Sequence, residues 1–177
     1  MVYGAIDEKG NKYYTYLSEV FAAIHQEQKN YNWLITDSEI YPELEEAKKL
    51  FTGDLYLEDE SDIQRIPSRK YCFLSGDELT EIIRKEDFQW IWAVLSGFDK
   101  SIPLEEILKY PLPYLDGYES FWKTPLSMQH PLAEIEIVPF DSSMTLVFST
   151  RKDIVDMFLD AIPGSRDLSR YKPQDWR

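Results

Sequence analysis

Residues 88–95, FQWIWAVL, carry a strongly polar side chain only at Gln89. Successive side chains of an extended chain point to opposite faces, which places Phe88, Trp90, Trp92 and Val94 on one side and Ile91, Ala93 and Leu95 on the other. A strand apolar on both sides has to be covered on both sides, so this one is expected to be central in its sheet. The chain can supply the cover. Its 177 residues are 44% hydrophobic and 15% aromatic, enough for one packed core and too apolar for a charge-dominated disordered segment.

Other elements follow from local patterns. MVYGAI at 1–6 reads as a short strand, followed by the turn residues of DEKGN. From Tyr13, the spacing of Leu17, Val20, Phe21 and Ile24 predicts a helix ending near Gln28, with Ser18 and Glu19 outward. YNWLI at 31–35 is a buried strand. Pro42 opens a short helix over 43–51 that Gly53 stops, and residues 54–70, rich in acids and lacking a period, read as a surface loop. YCFL at 71–74 is a strand. Ser75, three residues before Glu78, is a capping-box signature for a helix that turns Leu79, Ile82 and Ile83 inward. SIPLEEILKY is a short helix capped by Ser101, and the proline-rich stretch 110–131 is irregular structure pinned by its aromatics.

In AEIEIVPF, Ala133, Ile135 and Ile137 alternate with Glu134 and Glu136, the pattern of a half-buried strand, and TLVFS repeats it with Leu146 and Phe148. For Ile135 and Ile137 to share a face with Leu146 and Phe148, the intervening loop needs an even number of residues, and Asp141 to Met144 around a type I turn is the expectation. Asp141-Ser142-Ser143 is then a bend rather than a reactive pair, since nothing nearby supplies a base or an oxyanion hole. A helix with Thr150 as cap and an apolar stripe of Ile154, Val155, Phe158, Ala161 and Ile162 follows, closed by Pro163-Gly164. The whole predicts one α+β domain over 1–177, with helices packed on a largely antiparallel or mixed sheet and an irregular tail from about residue 165.

Chemistry is harder to find. The chain has no glycine-rich phosphate loop, no G-x-S-x-G and no H-E-x-x-H, so no catalytic residue, metal site or cofactor is assigned. His25, near the end of the first helix, and His130, before Pro131, read as structural. Cys72, the one cysteine, reads as a small core residue, and a single cysteine precludes an internal disulfide. The run from Leu57 to Asp62 has oxygen density but neither the spacing nor the glycine of a calcium loop.

Charge carries more information. Thirty-two acidic against nineteen basic side chains give a net charge of −13, which disfavours nucleic acid and anionic lipid as direct ligands. No apolar run approaches the roughly 18 residues of a membrane span and no leader is evident, so no membrane association and a cytoplasmic location are expected. Ten acids between Asp37 and Asp62 face only Lys48 and Lys49. A surface of that sign would steer a basic protein, with Glu58, Asp59, Glu60 and Asp62 as contact residues and Trp122 as an aromatic contact.

The segments YNWLITDSEIYP, GDELTEIIRKEDFQWIWAVLSGF, ILKYPLPYLDGYESFWK and HPLAEIEIVPFDSSMTLVFS together resemble a family of small acidic bacterial proteins, mainly Gram-positive, to which no activity is assigned. The resemblance spans roughly residues 30 to 170 and implies no catalytic residue. In size, charge and lack of catalytic motifs the chain is also similar to immunity proteins of bacterial toxin systems, which implies a protein-binding module that neutralises a basic effector. The alternative is a small-ligand-binding domain or an enzyme using carboxylates, which would place an enclosed apolar pocket in the fold.

Overall fold

The computed structural model describes residues 1–8, 15–41, 49–50, 52, 55–59, 62–66 and 70–172. Its strands are β1 (Tyr3–Glu8), β2 (Thr15–Tyr16), β3 (Tyr31–Tyr41), β4 (Leu55–Asp59), β5 (Asp62–Ile66), β6 (Cys72–Ser75), β7 (Gln89–Asp99), β8 (Ile135–Phe140), β9 (Met144–Ser149) and β10 (Arg166–Asp167). Its α-helices are α1 (Leu17–Ala23), α2 (Gly76–Lys85), α3 (Leu104–Ile107) and α4 (Lys152–Ala161). Eight strands form one antiparallel sheet in the order β10-β1-β9-β8-β7-β3-β6, with β2 paired to one end of β7, while β4 and β5 form a separate hairpin. The fold is α+β.

β7 is central, bonded to β3 on one side and to β8 and β2 on the other, as its two apolar faces require. One face is covered by α1, α2 and α4 through Leu17, Val20, Phe21, Leu79, Ile83, Ile154, Val155 and Phe158. The other is covered by Leu115 and Phe121 of the proline-rich segment, by α3 through Ile107, and by Leu168 of the tail. Trp33 and Trp90 are fully buried. Burial of a large apolar side chain stabilises by about 1.5–3 kcal/mol, so these positions dominate the core.

Double cover changes two expectations. Trp90 and Trp92 do not share a face: Trp90 packs on the helical side and Trp92 on the other, against Phe140 at 4.9 Å. Pairing of β3 with β7 is irregular between Thr36 and Ile40, and the extra residues flip the alternation. The β8–β9 hairpin pairs Phe140 with Met144, so its loop holds three residues, Asp141 to Ser143. Ile137 therefore stands opposite Val147 on the helical side, while Val138, Leu146 and Phe148 serve the second core. The even-loop argument fails because the sheet has no solvent face for the second set to avoid.

Several boundaries also move. α1 ends at Ala23 because His25 and Gln26 adopt left-handed φ angles of 52° and 66°, and residues 27–30 wind as a 3-10 turn whose Gln28 carbonyl accepts Trp33 Nε1–H at 2.9 Å. Residues 54–70 are not simply a loop. They contain the β4–β5 hairpin, whose backbone register sets Tyr56 opposite Arg65 and Asp59 opposite Asp62, a pairing between strands that one-chain periodicity does not reveal. Ser101 bonds Asp99 rather than capping α3, where Pro103 takes the N-cap position. Arg151, not Thr150, holds the N-cap position of α4, and Thr150 donates to the Glu134 carbonyl. The described part of the tail, to Lys172, is not simply irregular: Arg166–Asp167 pairs with β1, and Leu168–Arg170 forms a 3-10 turn. The helix expected over 43–51 lies outside the described residues except for Lys49 and Leu50.

α2 follows its sequence signature closely. The Ser75 hydroxyl accepts the Glu78 N–H at 3.2 Å and the Glu78 carboxylate accepts the Ser75 N–H at 2.8 Å, closing the capping box. Its first residue is Gly76 for a steric reason. A Cβ there would stand 2.0 Å from the Gln28 carbonyl oxygen, so the helix can approach the 3-10 turn only without a side chain.

Candidate functional site

The proline-rich segment 110–131 crosses the sheet face opposite the helices, and two carboxylates from the strands hold its backbone. Asp37 Oδ2 accepts the Leu115 N–H at 2.8 Å. Glu136 accepts the N–H of Gln129 on Oε2 and that of His130 on Oε1, each at 2.8 Å, and the Ser96 hydroxyl on Oε1 at 3.3 Å. Between these points the Gln129 side chain clamps Tyr114, receiving its N–H and donating to its carbonyl at 2.8 Å. An irregular segment has no ladder of its own, so its amides need such partners when buried.

Glu136 was expected on the solvent face of a half-buried strand, and it is fully buried instead. Burial pushes its carboxyl up to about 7, against the opposing pull of the donors from Gln129, His130 and Ser96. A carboxyl poised near neutrality is the usual starting point for general acid catalysis. Here the oxygens are already engaged by two backbone amides and a hydroxyl, and no solvent reaches them, so the arrangement is an anchor for the segment and not a reaction centre.

His130 is equally enclosed. Its Nε2 meets the Ile107 carbonyl at 3.1 Å and its Nδ1 accepts the Leu132 N–H at 3.2 Å, which specifies the neutral ring with the proton on Nε2. Burial lowers its pKa accordingly. Phe98 and Tyr110 stack edge-on against it at 4.8 and 5.4 Å. The imidazole does not bond the Glu136 carboxylate or Ser96 in this arrangement, so the three do not form a catalytic relay. His25 is exposed just beyond the end of α1.

Aromatic side chains fix the rest of the segment. Phe121 packs against Tyr118 at 4.7 Å and Phe148 at 5.7 Å. Trp122, proposed from sequence as a contact residue, is half-buried, with its ring 5.4 Å from Phe140 and 5.7 Å from Tyr171. The exposed aromatic rings of the segment belong to Tyr110 and Tyr114. No sequence signal singled these two out, although their position among prolines was visible.

A second feature lies at the sheet edge. An open groove of about 590 Å³ runs between α2 and β6, with Leu50, Cys72, Leu74 and Ile82 as apolar lining, Asp77, Glu78, Glu81 and Lys85 along the helix wall, and Lys49 beside Leu50. Cys72 is half-buried there rather than sealed in the core. Ser38 secures the adjoining chain, donating to the Leu50 carbonyl at 2.6 Å and accepting the Thr52 N–H at 2.8 Å. Of the acidic contact residues proposed from sequence, Glu58 and Asp59 end β4 and Asp62 begins β5, with Asp59 and Asp62 paired across the hairpin. Glu60 lies outside the described residues. Trp122 belongs to the opposite face of the main sheet from the helices, so the structure does not join it to the groove.

Among the described residues no group of three or more His, Cys, Asp or Glu is placed to hold a metal ion, and no helix is long and apolar enough to cross a membrane. Compared with known proteins, the chain matches no family model, no curated sequence and no solved structure.

Proposed function

We propose that the chain is a protein-binding module, immunity-like in type, that engages and neutralises a basic protein in the cytoplasm. The observation that supports this reading is the open groove beside α2, whose floor is apolar and whose walls carry Asp77, Glu78 and Glu81 against Lys49 and Lys85, together with the acids Glu58, Asp59 and Asp62 of the β4–β5 hairpin. Interfaces combine an apolar centre with a polar rim, and a rim of one sign speeds encounter with a partner of the other. The small-ligand or carboxylate-enzyme alternative calls for an enclosed apolar pocket, whereas the groove beside α2 is open and the buried Glu136 carboxylate is already engaged by backbone donors.

The test is recovery of the partner from native cell extract, followed by association kinetics with the purified pair. A basic partner in stoichiometric amount is expected. Reversal of Glu58, Asp59 and Glu60 to Lys should slow association at least several-fold at low salt, and the difference should fade as the screening length shrinks from about 10 Å at 0.1 M to about 3 Å at 1 M. An acidic partner, or an association rate indifferent to both changes, overturns the reading.

A further inference from the structure

Three large apolar side chains stand exposed within one stretch of seven residues: Leu108, Tyr110 and Tyr114, at 39%, 37% and 48% exposure. Exposed hydrophobics scattered singly carry no message, but a cluster on one segment does. The stretch is also held in place. Leu115 is tied to Asp37, Tyr114 is clamped by Gln129 through both its N–H and its carbonyl, and the Tyr110 ring rests edge-on against the buried His130. Tyrosines whose backbones are already fixed lose little freedom when a partner covers them, which is the property of good interface anchors.

The surroundings specify a charge. Glu105 and Asp116 are exposed on the same stretch of chain. The lysines there, Lys109 and Lys123, already pair with Glu106 and Glu119. An aromatic centre with an acidic rim fits arginine and lysine side chains, whose cationic heads stack on tyrosine faces and pair with carboxylates.

We propose that the Leu108–Tyr114 surface, carried by the carboxylate-anchored segment and separate from the groove beside α2, is a contact surface for a basic protein. This proposal rests on the protein-binding reading above and assigns it a second place on the molecule. The acidic hairpin then steers at long range while Tyr110 and Tyr114 supply the short-range contact.

The test uses the full chain, isotope-labelled, titrated with a short arginine-rich peptide bearing a central Trp-Leu pair and with its glutamate-for-arginine counterpart. The arginine peptide is expected to move the amide signals of residues 105–119 most. Tyr114→Ser should weaken its binding by about tenfold, while Tyr114→Phe, which keeps the ring, should stay within about threefold of the parent. Tyr114 is exposed, so both variants should fold, and a thermal unfolding midpoint checks this. Shifts concentrated at residues 37–62, or a Tyr114→Ser chain that binds like the parent, overturn this surface and leave the protein-binding reading standing. Equal binding of the two peptides, or binding of neither, overturns this surface together with the charge argument beneath that reading.

Discussion

The Glu136 carboxylate receives the His130 backbone N–H at 2.8 Å in a place where both residues are sealed from solvent. The bond joins the middle of the sheet to the far end of the proline-rich segment, so the covering layer of the second core is held from beneath by a strand side chain. Charge, burial and architecture thus meet in one group. An ionised carboxylate there costs desolvation that its donors only partly offset, and the neutral acid gives up acceptor strength toward them.

Stability should therefore depend on the ionisation of Glu136, with a definite sign. Its carboxyl sits near 7 in the folded protein against 4.5 for the ordinary side chain. A raised folded value means that the fold binds the proton more tightly, so the contribution is full below pH 4.5 and is lost as pH rises through about 7. The span corresponds to about 3 kcal/mol at 1.36 kcal/mol per unit. His130, held low by burial, acts in the opposite sense, its contribution being lost as pH falls below the usual histidine range. Ser96 is neutral, and Tyr118, whose pKa is raised by burial and by the Glu136 charge, ionises well above this window. Glu136→Gln removes the Glu136 titration and leaves that of His130. Denaturant unfolding should show the parent's advantage over the variant shrinking from pH 4.5 to pH 8, and parallel stability curves would contradict the assignment.

The second anchor is open to a cleaner substitution. Asp37 has a left-handed φ of 48° and its carboxylate accepts the Leu115 N–H. Asn tolerates the same backbone and keeps an acceptor, whereas Gly tolerates the backbone and removes it. Hydrogen exchange of the Leu115 amide should accelerate by about tenfold in Asp37→Gly, consistent with loss of one bond to a charged group, and stay near the parent rate in Asp37→Asn. Equal acceleration in both would mean that the backbone, not the carboxylate, protects the segment.

What could be read from the sequence is what depends on neighbours along the chain. The Ser75–Glu78 box, the apolar stripe of α4 and the doubly apolar β7 all announce themselves within a few residues. The misreadings share another cause. Glu136 alternates with Ile135 and Ile137 as a solvent-facing residue would, but the donors that make its burial tolerable come from Gln129, His130 and Ser96, positions set by the fold. The irregular pairing that separates Trp90 from Trp92 likewise arises between two strands and leaves no period in either. As for the site, the charge of the 37–62 region was legible, while the exposure of Tyr110 and Tyr114 follows from how Asp37, Gln129 and His130 hold their segment.

The hairpin loop offers a gain of stability. Asp141 and Ser142 both adopt left-handed φ angles, 49° and 57°, while the Ser142 N–H donates to the Ile91 carbonyl at 3.2 Å and the Ser143 N–H to the Phe140 carbonyl at 3.2 Å. Left-handed backbone costs an ordinary side chain about 1 kcal/mol or more, with Asp better tolerated than Ala. Ser142→Gly should raise stability by about 0.5 kcal/mol, the strain relieved exceeding the added freedom of the unfolded chain. Asp141→Ala should lower it by about 1 kcal/mol with binding intact. A variant at Asp141 that stays fully folded yet loses partner binding would make this loop a site and not a turn.

Gly76 provides the sharpest test of how the helical layer meets the sheet. It is the first residue of α2, and an added methyl would stand 2.0 Å from the Gln28 carbonyl oxygen, a backbone atom that Trp33 Nε1 already holds. Neither element can withdraw without disturbing the capping box at Ser75 or the Trp33 bond. Gly76→Ala should therefore destabilise by about 2–3 kcal/mol, at the upper end of what overpacking usually costs, despite the better helix propensity of alanine. Gly117 is the control. Its φ is 75° and a Cβ there meets nothing within 4 Å, so Gly117→Ala should cost only about 1 kcal/mol, through backbone strain alone. Thermal or denaturant unfolding of the pair decides the matter. If Gly76→Ala is as mild as Gly117→Ala, the contact between α2 and the Gln28 turn is looser than this packing requires.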